Sequence, residues 1–196
     1  VYVQQQVIYT VKLFYTDAIG GDFPQAPVLP ETVVEILENE KRYESIVNGR
    51  RYYVLEKRYA IFPQRSGNLV IPRERFNGQR GRSSIFARKQ SVSAISESHT
   101  IIVNTIPSTF LGKDWVPAKG LALSETWAET SSTIRVGEPI NRSIKLSVEG
   151  LSSNTLPPIE DFAANNAKVY VDPPTNENQV KEHGIEGIQT TTIGIV

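Results

Sequence analysis

The chain has 196 residues, and its 21 Lys and Arg balance its 21 Asp and Glu to a net charge of zero. That balance argues against a nucleic-acid binder that works by bulk charge, and no 18-residue apolar run is present to span a membrane as a helix. There is no Cys and there are only 2 His, which excludes a disulfide frame, a Cys-based zinc site and a thiol nucleophile.

Residues 7–16 alternate Val7, Tyr9, Val11, Leu13 and Tyr15 with Ile8, Thr10, Lys12, Phe14 and Thr16, the pattern of a long strand rich in β-branched and aromatic residues. Residues 20–30 are rich in breakers, with Pro24, Pro27 and Pro30. A short strand is expected over 32–37. Strands over 42–47 and 50–62 flank Asn48-Gly49. That dipeptide between two β runs predicts a type I′ hairpin, because both central positions need positive φ. On the second arm Tyr53, Leu55, Tyr59 and Ile61 share one face, with Glu56 and Arg58 on the other. Residues 63–67 turn the chain into a strand at 69–71. Residues 73–93 combine weak periodicity with many Arg, Ser and Gly, and read as a long loop. A strand over 100–106 closes a unit.

Residues 107–120 form a connection, after which Leu121, Leu123 and Trp127 begin a second set of strands, continued over 135–149, 168–172 and 185–196. No helical stripe occurs anywhere. The two sets repeat: Val11-Lys12-Leu13 matches Ile144-Lys145-Leu146 at an offset of 133, and residues 59–62 match 193–196 at an offset of 134. The expected fold is all-β, two tandem immunoglobulin-like β-sandwich domains over 1–106 and 121–196, joined by 107–120. The second is expected to be incomplete. The chain lacks Met and begins at Val1, so it is expected to be a piece of a longer product.

Several segments carry a family resemblance. They are the run from Tyr52 through Pro63 to Gly67, followed by Leu69, Ile71-Pro72 and Phe76 to Gly78; then Asp114-Trp115-Val116-Pro117-Ala118-Lys119; Leu121-Ala122-Leu123 with Trp127; and Arg135-Val136-Gly137-Glu138-Pro139-Ile140 with Gly150-Leu151. In order and spacing they resemble the BatD family of oxygen-tolerance, or aerotolerance, proteins. The resemblance implies a bacterial envelope protein with β-sandwich domains on the periplasmic side of the inner membrane. It implies a signal and a membrane anchor outside this segment, and protein partners such as von Willebrand A-domain membrane proteins. The family has no established catalytic motif, so no functional residue is carried over. No cofactor, metal, small molecule or nucleic acid is expected.

The candidate residues are weighed on that basis. His99 follows Ser96 and Ser98 in sequence, but strand neighbours point to opposite faces, unlike a Ser-His pair. His183 falls where the repeat places the Asn48-Gly49 turn. Glu160, Asp161 and Asp172 are candidate paired carboxylates, but Glu160 and Asp161 are neighbours beside Pro157-Pro158 in what reads as a solvated loop, not across a cleft. Trp127 continues the face of Leu121 and Leu123 and is expected in the second core; Trp115, beside Pro117, is expected to brace the connection. From 73 to 89 there are six cations (Arg73, Arg75, Arg80, Arg82, Arg88, Lys89) against one acid, Glu74, whereas 114–196 hold eleven acids and six cations. Arg80, Arg82, Arg88 and Lys89 are therefore a candidate docking loop for an acidic partner. Tyr52, which points opposite to Tyr53 and Tyr59, and Arg58 mark a second candidate face. The expected function is a non-enzymatic interaction or scaffold module, with a carbohydrate-binding accessory module as the alternative.

Overall fold

The computed structural model describes residues 1–81, 89–128, 135–160, 162 and 166–196. A first unit, Val1–Phe110, carries β1 (Val7–Tyr15), β2 (Ile19–Asp22), β3 (Thr32–Val47), β4 (Arg50–Pro63), β5 (Gly67–Ile71), β6 (Arg75–Arg80), β7 (Gln90–Ile95) and β8 (His99–Val103). A second, Leu111–Val196, carries β9 (Gly120–Trp127), β10 (Ile140–Glu149), a 3-10 turn at Ser153–Thr155, β11 (Val169–Val171), β12 (Thr175–Lys181) and β13 (Gly184–Ile195). The fold is all-β: antiparallel sheets without a closed barrel, the β-sandwich class that the alternation predicts.

In the first unit β4 lies between β1 and β3. Val7, Ile61 and Val34 form one cross-strand row, followed by Tyr9 and Tyr59. This inner face packs on a second layer made by β5 and β8, through Leu69, Ile71, Ile101 and Val103, with Leu29 between them. Burying each such aliphatic side chain contributes roughly 1.5–3 kcal/mol. Lys57 also lies on the inner face, opposite Val11. It is buried because its Nζ donates to the Pro24 carbonyl at 3.2 Å and sits 5.0 Å from the centre of the Phe23 ring.

The Asn48-Gly49 turn forms, with φ of 50° and 78° and Val47 opposite Arg50. Two expectations about this unit are corrected. The runs at 32–37 and 42–47 are one strand, β3, interrupted by register shifts between Ile36 and Glu38 and between Glu38 and Lys41. The polar stretch Glu38 to Lys41 breaks the alternation, and bulges absorb the irregularity without ending the pairing. Residues 73–93 are not simply a loop: β6 and β7 pair along their lengths, and β2 completes a three-stranded ribbon. Within β6 only Phe76 is buried, its ring lying across Gly78 and Gly21. One apolar anchor leaves no alternation to read.

In the second unit β9, β10 and β13 run side by side, with β11 and β12 both pairing to β13. The repeat is preserved in the pairing. Val7–Ile61, Tyr15–Tyr53 and Val47–Arg50 recur as Ile140–Ile195, Val148–Gly187 and Lys181–Gly184. Where β3 has its bulges, the second copy has Asp172-Pro173-Pro174, and the strand splits into β11 and β12, since Pro supplies no ladder N–H. Leu146 and Val148 pack under Leu151 and Leu156, joined by Val116, Ala118 and Ile159.

Trp127 does not enter this core. Leu121 and Leu123 do stand opposite Val148 and Leu146, so the face is as expected, but they are 60% and 62% exposed and Trp127 is 43% exposed. β9 is the edge strand, and the covering layer reaches Leu146 and Val148 of β10 without burying β9. The Trp127 ring instead carries the Arg142 guanidinium, 5.4 Å from its centre, and Arg142 also pairs with Glu125.

Candidate functional site

The ribbon β2-β6-β7 presents an open groove of about 890 Å³, with Gly20, Gly21, Gly78, Arg80, Lys89 and Ser91 among its walls. Arg80 stands at the ribbon's end, opposite Ile19 and Gln90. Its guanidinium lies 3.6 Å from the Asp17 carboxylate and donates to Gln90 Oε1 at 2.6 Å. The ion pair is exposed and contributes on the order of 0–1 kcal/mol, so the cation stays accessible to an incoming anionic group. A second hollow of about 480 Å³ adjoins it, with Tyr53, Asp17 and Arg80 in its wall. Tyr53 stacks on Tyr15, ring centres 5.7 Å apart. Of the four loop cations, Arg80 and Lys89 line this groove together; Arg82 and Arg88 lie outside the described residues.

Tyr52 and Arg58 are not part of this groove's wall. They project from the opposite face of β4, and the more exposed tyrosine is Tyr53, not Tyr52. Tyr52 is half-buried because Phe14 meets it edge-on, at 6.1 Å and 88°, and the Arg50 guanidinium lies over its ring at 5.5 Å. Tyr53 and Asp17 are the members that sequence reasoning missed. The available signal was position: Tyr53 pairs with Tyr15, the last residue of β1, where the sheet ends and its inner face opens.

On the outer face of the β1-β4-β3 sheet a polar cluster is locked into place. Glu56 is buried, accepts a hydrogen bond from the Tyr43 hydroxyl at 2.6 Å and pairs with Lys12 Nζ at 3.1 Å. Burial alone would raise its pKa, but the bonds from Tyr43 and Lys12, with Lys41 nearby, outweigh that and hold it below 4.5. A depressed carboxyl pKa adds stability above the unfolded value and loses it as pH falls through the folded one. Glu56→Gln should therefore cost on the order of 1 kcal/mol at neutral pH, and the difference from wild type should shrink below about pH 4.5. Urea denaturation at a series of pH values checks this; a difference that stays constant into acid would remove the charge from the account. On the inner face Tyr9 and Glu74 shift one another's titration. Burial, then the Glu74 charge, push Tyr9 up to about 12, and burial raises Glu74 as well.

The remaining candidates stay apart. His99 is exposed on β8 opposite Ile71, and His183 is exposed in the turn between β12 and β13. Glu160 pairs with Lys113 at 3.1 Å on the surface, Asp172 is exposed, and Asp161 lies outside the described residues. Trp115 is half-buried in the second unit. Among the described residues no three His, Asp or Glu side chains gather as metal ligands, and no helix is long and apolar enough to cross a membrane. Comparisons with protein-family models, curated proteins and solved structures find no match to this chain.

Proposed function

We propose that this chain is a non-enzymatic protein-interaction and scaffold module of a bacterial envelope complex, as the BatD resemblance implies. Its partners would be von Willebrand A-domain membrane proteins, its place the periplasmic side of the inner membrane, and its role oxygen tolerance or stress resistance. The observation that carries the reading is the ribbon groove. It is open and walled by residues of β2, β6 and β7, with Arg80 and Lys89 among its lining and Tyr53 in the adjoining hollow. Such a surface suits an extended acidic contact more than the enclosed, mostly apolar cleft that holds a small molecule. The carbohydrate-binding alternative draws less support, since Phe14 and Tyr52 meet edge-to-face and form no flat platform for a sugar ring.

The test begins with the full-length protein purified from membranes and its bound proteins identified. A variant with Arg80, Arg82, Arg88 and Lys89 changed to Gln is then compared with wild type for association with the purified partner. Arg80 and Lys89 are exposed, so their replacement is expected to alter stability by less than about 0.5 kcal/mol each. Association should slow by about tenfold at low salt, and the difference should shrink as salt screens the field. Equal rates at low ionic strength would reject the groove as a docking site, and retention on glycans with no bound protein would favour the alternative.

A further inference from the structure

Strand β1 ends its sheet. It pairs with β4 on one side, and among the described residues no backbone hydrogen bond outside that ladder reaches residues 7–15. In an antiparallel ladder every second residue turns its N–H and C=O away from the partner, so β1 presents a row of unpaired groups. The second unit carries the same strand with that side filled. β10 is the repeat of β1 and pairs with β13 as β1 pairs with β4, and its other side is taken by β9. The chain thus contains one copy of this edge open and one copy closed by a strand.

The open side also has room for side chains. A hollow of about 120 Å³ lies between β1 and the β6-β7 pair, with Val11, Leu13, Phe23, Phe76, Ala94 and Ile95 among its walls. Ile95 is 54% exposed there. Carrying the β9–β10 register over by the 133-residue offset puts the position of Leu121 opposite Tyr15, Leu123 opposite Leu13, Glu125 opposite Val11 and Trp127 opposite Tyr9. A strand in that register would turn alternate side chains toward the hollow.

We propose that the open side of β1 is a strand-acceptor site, and that its occupant is an extended segment of a partner protein, antiparallel to β1 and patterned like β9, whose alternate positions are Leu121, Leu123, Glu125 and Trp127. This deepens the interaction-module reading and rests on it. The mode is strand addition, in which main-chain bonds supply affinity and alternate side chains supply selectivity.

The test uses the full chain and a synthetic peptide of residues 119–128 as the probe. Bound peptide should slow amide exchange at alternate residues of β1, with β10 unchanged. Two further peptides carry N-methyl groups on alternate residues, one set for each edge. One should bind like the parent and the other should bind about tenfold or more weakly, since only one edge can face β1. No protection of β1 at millimolar peptide, protection confined to residues outside β1, or equal binding by the two methylated peptides would overturn the proposal. So would a dimer of the chain alone joined through β1, which would give the edge to a second copy. None of these outcomes touches the capture of an envelope partner from membranes, so failure of the edge site is distinguishable from failure of the interaction-module reading.

Discussion

Ile61→Ala should destabilise the first unit by about 2–5 kcal/mol, the range for truncating a buried Ile in a packed core. Ile61 has no exposed surface, lies between Val7 and Val34 across the sheet, and packs with Leu69, Ile71 and Val103 of the second layer. Removing its outer carbons loses their transfer free energy and leaves a cavity between two layers that cannot fully close. Ile36→Ala is the control. Ile36 is on β3 but 55% exposed, so its effect should stay within about 0.5 kcal/mol. Urea denaturation monitored by amide exchange in β4 and in β13 separates the two units, and only the β4 signal should move. A loss at Ile61 below about 1 kcal/mol would mean that the inner face of β4 is not the centre of the first core.

Gly187→Ala should destabilise the second unit by about 1–3 kcal/mol, the usual cost of forcing atoms into a filled space. A Cβ at this position would stand 2.5 Å from the Ser153 nitrogen, 2.6 Å from the Leu151 carbonyl oxygen and 2.8 Å from the Ser152 carbonyl carbon. All three are backbone, so none can rotate aside. The 3-10 turn is also held by Asn178, whose side chain accepts from the Ser153 N–H at 2.7 Å and donates to the Ser152 hydroxyl at 2.9 Å. Lifting the turn would therefore strain this clamp and loosen Leu151 and Leu156 from Leu146 and Val148. Thermal denaturation with amide exchange at residues 153–156 checks the effect. Gly20→Ala, where an added Cβ meets nothing within 4 Å, should be close to neutral. Equal effects at the two glycines would mean that the turn does not rest on β13.

What the sequence determines by itself is carried by neighbours along the chain. Asn48-Gly49 specifies its turn because the backbone angles are a property of those two residues. The alternation in β1 and β4 assigns the row of Val7, Tyr9, Ile61 and Tyr59 to one face, and the repeat announces that the pairing of β1, β4 and β3 recurs in β10, β13 and β12. Other features depend on partners that sequence distance hides. Glu56 is buried because Tyr43 and Lys12 close over it from the strands on either side. The ribbon β2-β6-β7 exists because Phe76 can lie across two glycines on adjacent strands. Trp127 follows the right alternation and is still exposed, because burial depends on whether a strand is central or at an edge. Tyr53, Asp17 and Arg80 meet only because the end of one sheet comes beside the end of another. Periodicity decides which way a side chain points; only tertiary packing decides what it meets there.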